Sequence, residues 1–134
     1  MLAADPPTPT SSDRCAVCGM FVSRHPGWIA AVVNRDGSRV FFDGPKDMFR
    51  YVLNPEKYKG DRDEIGGVFV TDYYTTRLLD ARDAFFVSGS DIMGPMGNEL
   101  IAISNENDAK TFLEDHGGDA ILSFGEVTLE NIPR

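Results

Sequence analysis

The chain has 134 residues, of which 42% are hydrophobic, and its formal net charge is −8. This length suits one domain with its own core, and the negative charge argues against nucleic acid and against anionic membrane surfaces as partners. Because no apolar run reaches the roughly 18 residues of a membrane-spanning helix, no such segment is predicted.

Residues 1–14 contain three prolines among small and polar residues, a composition typical of a flexible tether. Leu2-Ala3-Ala4 is similar to the residues that precede the lipid-modified cysteine of a bacterial lipoprotein, but Asp5 stands where that cysteine would be. We therefore expect a tether followed by a single domain over residues 15–134.

The first unit of this domain, residues 15–60, is predicted to contain two strands and a helix. Asp36-Gly37 separates two β-prone runs, which is a strong signal for an antiparallel hairpin. Asp43 is expected to cap the helix and Pro45 to occupy its first turn, and the apolar stripe of the helix continues to Leu53.

The second unit, residues 66–120, is predicted to repeat this order with additional strands and a loop. Ser104 is expected to cap a helix of about residues 105–116, which Gly117-Gly118 ends. One further edge strand is expected in the tail, residues 121–134. The predicted fold class is therefore α+β, with two ββα units of antiparallel strands.

Cys15-Ala16-Val17-Cys18-Gly19-Met20 contains both cysteines of the chain and places three sulfur atoms within six residues. Such a pair suits a redox dithiol, half of a zinc site, a structural disulfide or a soft-metal site. A thioredoxin-type pair follows a strand and begins a helix, but no strand is predicted before Cys15. A closed zinc site needs four ligands, and His25 and His116 lack the spacing to complete one.

Met93-Gly94-Pro95-Met96-Gly97 places two methionines on either side of a Gly-Pro turn. A loop methionine often fills a gap in the core, whereas thioether and thiolate sulfur together suit Cu(I). We therefore expect this turn to be the second half of one sulfur site. His25 is a candidate nitrogen ligand, whereas His116 is expected to interact with the C-terminal end of its helix.

These motifs resemble those of the NosL family, the nitrous oxide reductase accessory lipoproteins. The resemblance covers about residues 13–116 and implies a pair of ββα units related to those of organomercurial lyases. It rests on Cys15 to Met20, Phe41-Phe42-Asp43-Gly44, Lys46-Asp47-Met48, Val70-Thr71-Asp72-Tyr73, Val87-Ser88-Gly89-Ser90, Met93 to Gly97 and Glu99.

The resemblance implies a Cu(I) chaperone rather than an enzyme, with nitrous oxide reductase or its maturation machinery as partner. It also implies a periplasmic location or the outer face of the cytoplasmic membrane, with membrane contact only through a lipid anchor. The ligands that it implies are one cysteine of the first motif and one methionine of the second half. Cys18 and Met96 are the leading ligands, with Cys15, Met93 and Met20 as alternates.

The main alternative function is a thiol–disulfide oxidoreductase that uses Cys15 and Cys18, which requires a low cysteine pKa. A second alternative is an enzyme similar to organomercurial lyase, which would need a distant additional thiolate and an acid, whereas both thiols here are local. A domain with an inert disulfide is the third.

Overall fold

The computed structural model describes residues 7–133 of the chain. Short 3₁₀ turns connect several of its helices and strands, and among the described residues no helix has the length and apolar character needed to cross a membrane. The elements are β1 (Ala30–Asn34), β2 (Arg39–Phe42), α1 (Pro45–Leu53), β3 (Ile65–Thr71), β4 (Leu78–Asp80), β5 (Phe85–Ser88), β6 (Met93–Gly94), β7 (Gly97–Asn98), β8 (Ile101–Ile103), α2 (Glu106–His116) and β9 (Ala120–Ser123).

The first sheet has four strands in the order β2-β1-β3-β4, and all neighbouring strands are antiparallel. The hairpin predicted at Asp36-Gly37 joins β1 to β2, with Val32 opposite Val40. Gly37 has a φ of +89°, a left-handed conformation that glycine adopts without a steric penalty. The turn residues therefore set the register of the strand that leads into the candidate site.

The second sheet has the order β8-β5-β9 and is also antiparallel. Its core includes Val87, Ile101 and Phe112, which are fully buried. The edge strand expected at residues 121–134 occupies only Ala120–Ser123. It ends there because a capped 3₁₀ turn follows, in which the Ser123 N–H donates to Glu126 Oε1 at 2.8 Å.

The strands β3 and β4 extend the first sheet, although the sequence analysis assigns them to the second unit, residues 66–120. Val68 on β3 lies opposite Val32 on β1. Because β1 is central and buried, its second edge needs a partner for its backbone groups, and β3 supplies one. The mixed helix and antiparallel sheet architecture nevertheless confirms the predicted α+β class.

The start of α1 differs from its prediction in the residue that caps it. The N-cap is Gly44, with no side-chain capping hydrogen bond, and the Asp43 carboxylate instead accepts a hydrogen bond from Cys18. Glu99 Oε2, from the second half of the chain, accepts from the free Lys46 N–H of the first turn at 2.8 Å. A tertiary contact therefore replaces the expected local cap.

The second helix begins one residue later than predicted. Its N-cap is Asn105 rather than Ser104, since Asn105 Oδ1 accepts from the Asp108 N–H at 2.9 Å. Gly117 ends the helix as expected, in a left-handed conformation with a φ of +69°. The local signals therefore predicted the helix and its end correctly, and the N-cap to within one residue.

Gly44→Ala is expected to destabilise the fold by about 1–3 kcal/mol, the usual effect of overpacking. A Cβ at this position would collide with Glu99 Oε1 and lie 2.9 Å from Glu99 Cδ. Urea denaturation measures the effect, with Gly27→Ala as the matched control because a Cβ there meets nothing within 4 Å. Equal unfolding free energies for the two variants would contradict the close approach of Glu99.

Candidate metal centre

The segment Cys15–Met20 forms a closed turn that is attached to the edge of the first sheet. The Cys15 N–H donates to Met20 O at 2.7 Å, and the Gly19 N–H donates to Cys15 O at 2.9 Å. The Ala16 N–H donates to Phe41 O at 3.0 Å, which docks the turn against β2. The cysteines therefore lie beside the junction between β2 and α1.

Cys15, Cys18, Asp43 and Asp47 form a four-residue cluster, in which one potential ligand atom of each lies within 4.8 Å of the others. The Cys18 thiol donates to Asp43 Oδ2 at 2.9 Å, and the Cys15 thiol donates to Asp47 Oδ2 at 3.5 Å. Asp43 directly precedes the N-cap of α1 and Asp47 lies in its first turn, so both carboxylates lie at the N-terminus of the helix. The cluster combines two soft donors with two hard ones.

Burial in the cluster is uneven and favours access to Cys18. Cys15, Asp43 and Asp47 are each at most 3% exposed, whereas Cys18 is only half-buried. Arg50 Nη1 lies 2.9 Å from Asp47 Oδ1 and offsets part of the negative charge. An incoming ligand or metal therefore reaches the cluster from the side of Cys18.

Both thiols of the cluster hold their protons more tightly than a free cysteine does. Burial raises the pKa of Cys15, and burial followed by the hydrogen bond to Asp43 raises the pKa of Cys18. Burial also raises the pKa of Asp43, an effect that the hydrogen bond from Cys18 partly opposes. Because the charged forms repel one another and are poorly solvated, a cation that displaces these protons relieves both penalties.

Met93 and Met96 lie on the short hairpin formed by β6 and β7, and their side chains are 52% and 47% exposed. Such exposure excludes a role as fillers of the core. The backbone of the hairpin is bound to α1, since Lys46 Nζ donates to Met96 O at 3.2 Å and to Asn98 O at 2.6 Å. Lys46 directly precedes Asp47, so the methionine hairpin is attached to the same turn of α1 as the cluster.

The other candidate ligands, Met20, His25 and His116, are not among the four residues of the cluster. Met20 is half-buried and its carbonyl closes the cysteine turn. His25 is half-buried in the turn that precedes β1 and is not one of the four cluster residues. His116 lies in the last turn of α2, where its Nδ1 is 2.9 Å from Asp91 Oδ1, a hydrogen-bond partner that the sequence analysis did not identify.

Asp43 and Asp47 are the cluster residues that sequence reasoning missed. Asp43 was expected to cap a helix, and Asp47 had no expected role beyond the family resemblance. Two acidic residues at the start of a predicted helix were a usable signal, because negative charge is favoured at a helix N-terminus. Their proximity to the thiols follows only from the docking of the cysteine turn beside Phe41.

Comparison with known proteins relates the chain to one family. A sequence model of the NosL family matches residues 6–132. The copper-binding lipoprotein NosL of Stutzerimonas stutzeri is 32% identical over 124 residues, which cover 87% of this chain and 62% of that protein. This chain therefore spans less than two thirds of the length of that relative.

The solved structures that are similar to this chain include two NosL proteins. The crystal structure of the copper chaperone NosL from Shewanella denitrificans matches with a TM-score of 0.82 and 27% identity, covering 94% of this chain and 97% of that one. The solution structure of apo-NosL from Achromobacter cycloclastes matches with a TM-score of 0.57 and 22% identity, covering 77% of this chain and 87% of that one. The second similarity concerns the fold alone.

Proposed function

This chain belongs to the NosL family, and from that premise we propose that it is a chaperone that binds Cu(I) and delivers it for assembly of the copper centres of nitrous oxide reductase. One observation carries the proposal. A half-buried thiol, Cys18, lies in a cluster at the start of α1, and the hairpin with the exposed methionines is bound to that same turn. Thiolate and thioether are the donors that suit Cu(I).

The proposed ligands are Cys18 and Met96, with Cys15, Met93 and Met20 as alternates. Cys18 is the accessible thiol of the pair, and the main chain of Met96 is bound to the helix that carries Asp47. Asp43 accepts a hydrogen bond from the Cys18 thiol, and Cu(I) would take the place of that thiol proton. The candidates for a third ligand are His25, a carboxylate of the cluster and water.

Transfer of the cargo is proposed to proceed by ligand exchange. A site built from one accessible thiolate and an exposed thioether leaves part of the coordination sphere of Cu(I) open. A ligand of the recipient then binds before the last ligand of the chaperone leaves, so the ion is never released into solvent. A closed four-ligand site would lack this opening.

The site is less suited to the alternative function, a thiol–disulfide oxidoreductase that uses Cys15 and Cys18. That chemistry requires a thiolate stabilised at low pKa, commonly at the N-terminus of a helix. Here the thiols donate to two carboxylates, Asp47 and Asp43, and burial raises the pKa of both thiols. The geometry therefore favours exchange of a metal over exchange of a disulfide.

We propose that the protein acts in the periplasm or at the outer face of the cytoplasmic membrane, held there by a lipid anchor in its precursor. The S. stutzeri relative is named a lipoprotein, which supports this placement. The proposed recipient is nitrous oxide reductase or its maturation machinery, and nucleic acid is not a proposed partner.

Anaerobic titration of the reduced protein with Cu(I) against a competing chelator tests the proposed function. We expect one tightly held Cu(I) per chain and a clear loss of affinity in Met96→Ala. Met93→Ala is compared with it, since both methionines lie on the same hairpin with similar exposure, and a larger loss in Met93→Ala than in Met96→Ala would make Met93 the ligand. Undiminished affinity in Met96→Ala would show that the thioether ligand is misassigned.

Delivery is tested separately, by mixing the Cu(I)-loaded protein with copper-free nitrous oxide reductase and measuring the copper in the separated enzyme. We expect copper to accumulate in the enzyme even with excess chelator present, because direct ligand exchange bypasses free copper. Transfer that the chelator abolishes would contradict direct delivery.

A further inference from the structure

We infer that Lys46 and Glu99 form a clamp that fixes the Met93–Asn98 hairpin against the first turn of α1 and thereby positions Met96 for Cu(I). The inference rests on the proposed function, because it concerns the geometry of the proposed copper site. Lys46 and Glu99 are positioning residues that act through Met96 and are not themselves ligands.

The hairpin has little structure of its own. Its strands, β6 and β7, contain two residues each and form two cross-strand pairs, Met93 with Asn98 and Gly94 with Gly97. A two-stranded hairpin is marginally stable in water even when it is longer, and the exposed methionines contribute little burial. Contacts from outside the hairpin must therefore fix its position.

Lys46 supplies the first of these contacts. The residue is only 3% exposed, although it carries an ammonium group, and a buried cation requires partners. Its Nζ donates to Met96 O at 3.2 Å and to Asn98 O at 2.6 Å, on either side of Gly97. Hydrogen bonds from a charged donor are stronger than neutral ones, so Lys46 holds the Met96 backbone at a defined distance from α1.

Glu99 supplies the second contact, at the residue that follows the hairpin. It is 5% exposed, and its Oε2 accepts from the Lys46 N–H at 2.8 Å and from the Leu100 N–H at 2.9 Å. Lys46 therefore binds this segment twice, with its side chain to the hairpin carbonyls and with its backbone to Glu99. The two contacts together restrict sliding of the hairpin along α1.

Two glycines provide the space that the Glu99 side chain occupies. A Cβ at Gly44 would collide with Glu99 Oε1, and a Cβ at Gly94 would lie 3.2 Å from Glu99 Cγ. Gly44 follows the cluster residue Asp43, and Gly94 follows Met93. Glu99 thus fills the gap between the half of the site with the thiols and the half with the thioethers.

Lys46→Met tests the clamp, because it removes the ammonium and keeps most of the side-chain length. We expect Cu(I) affinity to fall about 10–100-fold, the usual range for residues that orient metal ligands. X-ray absorption of the copper-loaded variant should show fewer sulfur neighbours than the parent. Lys110→Met is the matched control, since Lys110 is exposed on α2, and should match the parent in both measurements.

The double variant, Lys46→Met in Met96→Ala, distinguishes the loss of Met96 positioning from general damage to the protein. In Met96→Ala, Lys46→Met should cause little further loss of affinity, because both changes remove the same thioether ligand. The inference would be overturned if Lys46→Met lowered Cu(I) affinity as much in Met96→Ala as in the parent, and if copper in Lys46→Met alone kept the same number of sulfur neighbours as in the parent. If Lys46→Met does not fold, Gly94→Ala replaces it, since its Cβ would push the hairpin away from Glu99, and the same results are expected.

A metal-free measurement distinguishes failure of the clamp from failure of the proposed function. Amide hydrogen exchange in the apo-protein should become faster in residues 93–98 of Lys46→Met and remain unchanged elsewhere. Unchanged exchange in that hairpin would overturn the clamp even if the parent binds Cu(I) tightly. Faster exchange in Lys46→Met, combined with a parent protein that binds no Cu(I), would instead overturn the proposed function, and with it the role of the clamp in binding.

Discussion

Cys18→Ala is expected to reduce Cu(I) affinity by on the order of 100-fold or more, whereas Cys15→Ala should reduce it much less. The two variants are matched, because each removes one sulfur atom from the same turn. Cys18 is the accessible thiol of the cluster, while Cys15 is 3% exposed and packs within the core. Competition titration against a Cu(I) chelator, with both variants kept reduced, measures the difference.

Stability should respond to these substitutions in the opposite order. Cys15→Ala removes a buried sulfur from the core and should lower the free energy of unfolding by about 1 kcal/mol, while Cys18→Ala should change it less. Urea denaturation of the metal-free proteins separates this effect from binding. Equal losses of Cu(I) affinity in the two variants would show instead that the cysteines act as a pair, contrary to the proposed ligand set.

The candidate sulfur ligands could be proposed from the sequence because their chemistry is uncommon and locally concentrated. Two cysteines in one turn and two methionines around Gly94-Pro95 indicate a soft cation without any knowledge of the fold. The assignment of ligands among them stays a prediction. The hairpin at Asp36-Gly37 was predictable for a similar reason, since its turn chemistry is local.

The residues that the sequence analysis missed act through contacts between distant segments. Asp43 has the pattern of a helix cap, and only the docking of the cysteine turn beside β2 makes it a partner of Cys18. Glu99, in the second half of the chain, accepts a hydrogen bond from the free Lys46 N–H in the first turn of α1. The pairing of β3 with β1 is also a long-range choice, which strand periodicity does not specify.

Cu(I) affinity is expected to rise about tenfold for each pH unit between about pH 6 and 8. The metal binds the thiolate of Cys18, but burial and the hydrogen bond to Asp43 raise the thiol pKa above its ordinary value, so the metal-free thiol is protonated throughout this range. Binding therefore releases one proton, and lower proton concentration favours the complex. Competition titrations at several pH values, corrected for protonation of the chelator, measure the slope.

Asp43→Asn tests the cause of this pH dependence. Removal of the carboxylate that accepts the Cys18 hydrogen bond should lower the thiol pKa, which the ultraviolet absorbance of the thiolate reports in the metal-free protein. Asp83→Asn is the matched control, because Asp83 is an exposed carboxylate outside the cluster. An affinity independent of pH in the parent would mean that Cys18 is already ionised. That state is the one a thiol–disulfide oxidoreductase requires, so this result would remove the pKa argument against the main alternative function.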